Sequence, residues 1–218
     1  MIREILQKYK LKGKKVFLEK KVNFKKASFE GANRVGMNSS IRKIKIGYGS
    51  YIGKNCMLNA AKVGKFCSLG NNIKIISGNH PTKDYVSTHP FCYSTTFKRE
   101  GLNFQKHIKF DDLLKIDNNT SIVIGNDVWI GDNVLILGGI KIGDGVVIGC
   151  GSVITRDIEA YSIVVGVPGK VLRKRFTDKQ IQFLEEFKWW NKEIEWIEKN
   201  IENFSNIEKL MANEMVRS

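Results

Sequence analysis

The sequence predicts an all-β solenoid: a parallel β-helix of six-residue repeats, broken once by a long loop insertion and followed by a C-terminal α-helical segment. Three observations predict it. From Ile124 an aliphatic residue returns at every sixth position: Ile124, Ile130, Ile136, Ile142, Ile148 and Ile154. Glycine follows it at Gly125, Gly131, Gly143 and Gly149, and a small or β-branched residue stands four places after it at Val128, Val134, Ile140, Val146 and Ser152. An earlier tract keeps the same register at Ile46, Ile52 and Leu58, then resumes after a one-residue deletion at Val63, Leu69 and Ile75. A period of six suits neither a 3.6-residue helix nor an alternating strand. It suits a triangular prism in which each six-residue segment is one flat side with its aliphatic pointing inwards. Three sides close one coil, and coils stack at about 4.8 Å.

The elements follow in order. Residues 1–21 form a basic N-terminal segment, and the Lys-rich stretch from Lys8 to Lys26 reads as a solvated surface. Residues 22–76 are the first β-helix tract, with fainter repeat positions at Phe29, Val35 and Ile41. Residues 77–121 are an insertion that holds all three histidines, His80, His89 and His107. Long loops on a repeat scaffold are where function concentrates, so the chemistry is expected there. Residues 122–169 are the second tract, closed by Val167-Pro168-Gly169. Residues 170–218 are a basic tail and C-terminal helices. Thr177 and Gln180 make a capping box, and Ile181, Leu184, Phe187, Ile194, Ile197, Ile201 and Phe204 mark an apolar stripe. One helix from Thr177 to about Ile207 is expected, covering the open end of the solenoid or a neighbouring subunit.

Composition bounds the function. Thirty-six Lys and Arg against 22 Asp and Glu give a net charge of +14, which favours an anionic partner. No helix-turn-helix, zinc-finger or RNP-type pattern supports nucleic-acid binding. No apolar run is long enough to span a bilayer, and the first 20 residues contain no uninterrupted apolar core of a signal peptide, so a cytoplasmic location is expected. Cys56, Cys67, Cys92 and Cys150 form no CxxC pair; Cys56 and Cys67 fall where small buried residues are wanted.

Five segments in one order carry a family resemblance: GNHP at residues 78–81, DYVSTHP at 84–90, NDVWIG at 126–131, GVPGKVLRKRF at 166–176 and FKWWN at 187–191. Over about residues 30 to 205 the chain resembles the hexapeptide-repeat acetyltransferases, in the branch that holds xenobiotic (chloramphenicol and streptogramin) and sugar or polysaccharide O-acetyltransferases. The resemblance implies a left-handed β-helix, acetyl-CoA as acyl donor, no metal and a homotrimer with the donor in a groove shared by two subunits.

It also implies site residues. His80 matches the family's general base, and imidazole suits that role because its pKa lies near neutrality. His89 would orient the loop or line the acceptor pocket, with direct catalysis as the alternative. Asp84 and Tyr85 would touch the acceptor. Trp129 would line the acceptor site or, with a backbone amide as the other choice, stabilise the oxyanion. For the donor, Gly138, Gly139, Gly149 and Gly151 would allow close backbone approach, Thr155 and Arg156 would meet the adenine end, and Lys170 and Arg173 the phosphates. Many relatives have proline where Gly138 stands, so the groove wall is expected to differ there. His107 has no motif and reads as surface.

The acceptor stays open between a sugar or polysaccharide precursor, an antibiotic and an amino sugar. Two rivals share the fold: a zinc lyase of the γ-carbonic anhydrase type, which needs three converging histidines, and a non-catalytic scaffold.

Overall fold

A computed structural model describes residues 11–95, 100–102 and 104–215. The first ten residues of the basic N-terminal segment therefore lie outside the described residues. Short strands wind into a parallel β-solenoid of three flat faces, the left-handed β-helix of hexapeptide repeats. Every repeat aliphatic points into the prism: the six isoleucines from Ile124 to Ile154 are at most 2% exposed, and Phe29, Val35 and Ile41 join the same core. The coils begin earlier than expected, because Phe17–Leu18 already pairs in parallel with Arg34–Val35.

The three faces are read from the register. The first face runs from Phe17–Leu18 through Tyr51–Ile52, Ser68–Leu69, Trp129–Ile130 and Val147–Ile148 to Ser162–Val165. The second stacks Ser40, Met57, Lys74, Leu135 and Val153 on one another. The third stacks Lys45, Lys62, Val123 and Lys141. Strands Asn23–Phe29 and Ser40–Ile46 turn the edge between the second and third faces without a break, on single left-handed residues, Lys26 (φ 52°) and Lys43 (φ 51°). Ala60 (φ 52°) does the same one coil on. This tight edge is the physical cause of the one-residue deletion between Leu58 and Val63.

At another edge the small residues form a hydrogen-bonded column. Ser50 Oγ donates to Gly64 O (2.6 Å) and accepts from Cys67 N (2.8 Å), and Cys67 Sγ donates to Gly125 O (3.0 Å). Ser39 and Cys56 repeat the arrangement at the edge between the first and second faces. A serine or cysteine thus satisfies backbone groups that the edge would leave bare. Glycines after the aliphatics are sterically required: a Cβ on Gly64 would lie 2.3 Å from Gly125 O.

Beyond the cis peptide Val167–Pro168 the chain reverses, and the basic tail Lys170–Lys174 is an antiparallel strand on the first face. The span expected as one helix instead holds two, α1 (Asp178–Phe187) and α2 (Ile194–Lys199), and a third, α3 (Ile207–Met215), starts where that span ends. The capping box at Thr177 forms as predicted. The break follows from Lys188, which adopts a left-handed conformation (φ 44°, ψ 55°) and returns its N–H to Leu184 O. That turn buries Trp190 and sets Trp189 on Phe66, with ring centroids 4.9 Å apart. Lys65 Nζ–Asn191 (3.1 Å) and Arg175–Asp127 (3.0 Å) hold the same junction. The helices therefore lie along the edge between the third and first faces, not over the open end. Among the described residues no helix is long and apolar enough to cross a membrane.

Candidate active site

The insertion leaves the prism where the second face meets the third. Strand Lys74–Ile76 ends there, Ser77-Gly78-Asn79-His80-Pro81 follows, and the chain re-enters at Ile122–Ile124 on the third face. Its root is a short antiparallel pairing: Leu114 N donates to Ser77 O and Asn79 N to Asp112 O, both at 2.7 Å. Gly138 lies under this return segment. A Cβ there would stand 2.5 Å from Leu114 O and 3.1 Å from Ser77 Cα. Gly138 thus makes room for the insertion's own backbone.

His80 sits exposed just beyond this root. Its Nδ1 is 2.8 Å from Thr88 O and 2.9 Å from the Tyr93 hydroxyl. A carbonyl oxygen only accepts, so Nδ1 carries the proton and donates it, and Nε2 keeps its lone pair. The tautomer is assigned from this contact. Tyr93 is fully buried, packed edge-on against Tyr85 (5.9 Å) and Phe110 (5.4 Å). Burial raises its phenol pKa, so the hydroxyl stays protonated. Beside it, His89-Pro90 opens a single 3-10 turn, Pro90–Cys92, in which His89 Nδ1 accepts from Phe91 N at 3.2 Å. His89 therefore shapes the turn between Thr88 and Tyr93, the two partners of His80.

The register carries this edge towards the C-terminal coils. Ile76 pairs with Leu137, and Ile136 with Ile154, so Ser77, Gly138 and Thr155 follow one another. At about 4.8 Å per coil, Thr155 and Arg156 lie about 10 Å from the insertion root. There a groove of about 370 Å³ is lined by Thr155, Arg156, Gly169 and Lys170, among others. Both cations are exposed.

Residues 121–156 match the family model for the bacterial transferase hexapeptide (six repeats). The chain carries the hexapeptide repeat of bacterial transferases. This hexapeptide chain is 43% identical over 138 residues to a chloramphenicol acetyltransferase of Klebsiella aerogenes, covering 62% of this chain and 61% of the relative. It is 39% identical over 132 residues to a chloramphenicol acetyltransferase of Morganella morganii, covering 59% and 58%. The matches thus span about three fifths of these relatives' own length. Among solved structures, a maltose O-acetyltransferase from Clostridium difficile 630 superposes with a TM-score of 0.41 at 23% identity, over 78% of this chain and 75% of that one.

The structure places His80, His89, Tyr85, Gly138, Gly139, Thr155 and Arg156 along one edge and its insertion, and Lys170, at the start of the first-face tail strand, lines the groove with Thr155 and Arg156. The Tyr85 hydroxyl points towards Lys109 O at 3.5 Å, and Asp84 is exposed beside it. Gly149 and Gly151 fall instead at the edge between the first and second faces. Trp129 is 56% exposed on the first face, in a shallow depression with Arg173 and Arg175; one chain does not join that depression to His80. His107 is exposed. Among the described residues, no three His, Cys, Asp or Glu side chains gather into a metal-binding group. Sequence reasoning missed Thr88 and Tyr93. A backbone carbonyl has no side-chain signature, and the only hint was the second His-Pro, His89-Pro90.

Proposed function

We propose that this protein is an acetyl-CoA-dependent O-acetyltransferase acting on a hydroxyl of a sugar or polysaccharide precursor, with His80 as general base. The observation that carries the reading is the contact of His80 Nδ1 with Thr88 O, which fixes the tautomer whose Nε2 can take a proton. The donor supplies an acetyl group activated as a thioester. His80 Nε2 takes the acceptor's hydroxyl proton as the oxygen bonds to the acetyl carbon. The carbon–sulfur bond breaks, and His80 returns the proton to the departing sulfur. The products are the acetyl ester and the free thiol, and His80 is regenerated.

The groove at Thr155, Arg156 and Lys170 fits the donor, because its exposed cations suit phosphates and Thr155 and Arg156 follow the edge that carries His80. Tyr85 and Asp84 would meet the acceptor, and His89 would hold the loop in shape. Trp129 and Arg173 would serve the site from a neighbouring chain of a homotrimer, since in one chain they stand on a different face. A second reading, transfer to an antibiotic hydroxyl, is favoured by the named function of the two chloramphenicol acetyltransferases.

The test is thiol release from acetyl-CoA with a panel of chloramphenicol, sugars, amino sugars and nucleotide sugars, for the wild type and His80→Ala. Turnover on one acceptor that falls by about 10²–10⁴ in the variant supports the reading. Turnover that survives the substitution overturns His80 as base.

A further inference from the structure

The edge that carries His80 continues in the opposite direction, towards the N-terminal coils, and there it is lined with cations. Lys25 pairs with Arg42, and Lys45 with Lys62, on adjacent rungs, while Lys26 and Lys43 occupy the edge itself. All six are exposed. Lys62 is bound to Asp117 at 3.1 Å. Among the described residues the other five have no acidic partner. Two cavities open over them. One, of about 640 Å³, is lined by Lys26, Lys43, Lys45 and Lys62 and walled by the turn at 117–120. The next, about 340 Å³, joins Lys25, Lys26, Arg42 and Lys43 to Ser77 and Leu113. Those last two residues belong to the root of the insertion that carries His80.

Adjacent rungs hold the backbones of these cations about 5 Å apart, and an anion lying across them would relieve the repulsion of their like charges. A second copy of the same face could not relieve it, being equally positive. The register places Lys43 two coils before Ser77, and Thr155 two coils after it. His80 thus stands between two opposed cationic stretches of one edge.

We propose that the N-terminal stretch, Lys25 to Lys62, is the acceptor track, and that the acceptor is an anionic carbohydrate whose carboxylates or phosphates lie on Lys26, Lys43 and Lys45. The inference rests on the transferase reading and names its substrate class.

The experiment is calorimetric titration of the full chain with two probes, UDP-N-acetylglucosamine and a polygalacturonate oligomer, at 50 and 300 mM salt. It compares wild type, the triple variant Lys26→Gln, Lys43→Gln, Lys45→Gln, and a control triple on the helices, Lys179→Gln, Lys199→Gln, Lys209→Gln. One probe at least is expected to bind, more weakly at high salt. The track variant should lose about tenfold or more in affinity, while the control stays within about twofold. Binding of the nucleotide sugar alone identifies phosphate as the anchor, and binding of the oligomer alone identifies a glycan chain. The proposal is overturned if neither binds, if both triples weaken binding equally, if coenzyme A displaces the probe from these lysines, or if a 20-nucleotide RNA binds more tightly than both. Lysine-dependent binding with no thiol release on any acceptor leaves the track standing and removes the transferase reading.

Discussion

The imidazole of His80 donates a hydrogen bond from Nδ1 to the carbonyl oxygen of Thr88, 2.8 Å away, across eight residues of the insertion. One backbone oxygen therefore decides which nitrogen keeps its lone pair. The Tyr93 hydroxyl stands 2.9 Å from the same nitrogen, so both contacts hold the Nδ1 side of the ring.

Tyr93→Phe tests that support. The ring keeps its packing on Tyr85 and Phe110 but loses the hydroxyl, so His80 is less firmly held. A neutral hydrogen bond contributes about 1 kcal/mol, so kcat should fall about fivefold with KM for the acceptor nearly unchanged. Steady-state kinetics checks the split. A change confined to KM would mean that Tyr93 meets substrate instead of positioning His80.

The groove proposed for the donor makes a second prediction. Arg156→Ala and Lys170→Ala should each raise KM for acetyl-CoA by about tenfold or more, because a hydrogen bond to a charged group contributes about 1.5–3 kcal/mol. Arg173→Ala should do the same only in a protein that is trimeric, since Arg173 stands on another face of its own chain. Acetyl-CoA titration together with sedimentation would show it; an unchanged KM in a trimeric Arg173→Ala protein removes Arg173 from the donor site.

Three glycines should separate stability from activity. Gly64→Ala drives a Cβ into Gly125 O and is expected to cost about 2 kcal/mol or more, lowering Tm by about 4–8 °C. Gly151 has open space around its Cβ position and a φ of 71°, so Gly151→Ala should cost only about 1 kcal/mol. Gly138→Ala displaces Leu114 and the root of the insertion, and should lose acetyl transfer out of proportion to its loss of Tm. Thermal melts beside activity measurements decide this.

Cys67 predicts an alkaline limit. Burial pushes its thiol up from the usual 9.0 to about 12. A group whose folded pKa is raised contributes stability below its unfolded pKa and loses it as pH rises through the folded one. Stability should therefore decline between about pH 9 and about pH 12. Serine occupies the preceding rung of the same column at Ser50, so Cys67→Ser should fold and flatten that decline. Denaturant melts at pH 8 and pH 10.5 check it; equal slopes in the two proteins would sink the assignment.

The sequence by itself determined the solenoid, its inward aliphatics from Phe29 to Ile154, the place of the insertion and the capping box at Thr177. Each is a local or periodic demand: a six-residue period has one way to bury its apolar position, and a cap needs only residues three apart. Tertiary structure alone decided the rest. The break at Lys188 exists because Trp190 must be buried and Trp189 must reach Phe66, 123 positions away in the chain. The separation of Gly149 and Gly151 from Thr155 and Arg156 came from which edge each turn occupies. The partner of His80 is a main-chain carbonyl, set by how the insertion folds over Tyr93. Contacts between remote rungs depend on stacking register, and register is a property of the coil as a whole.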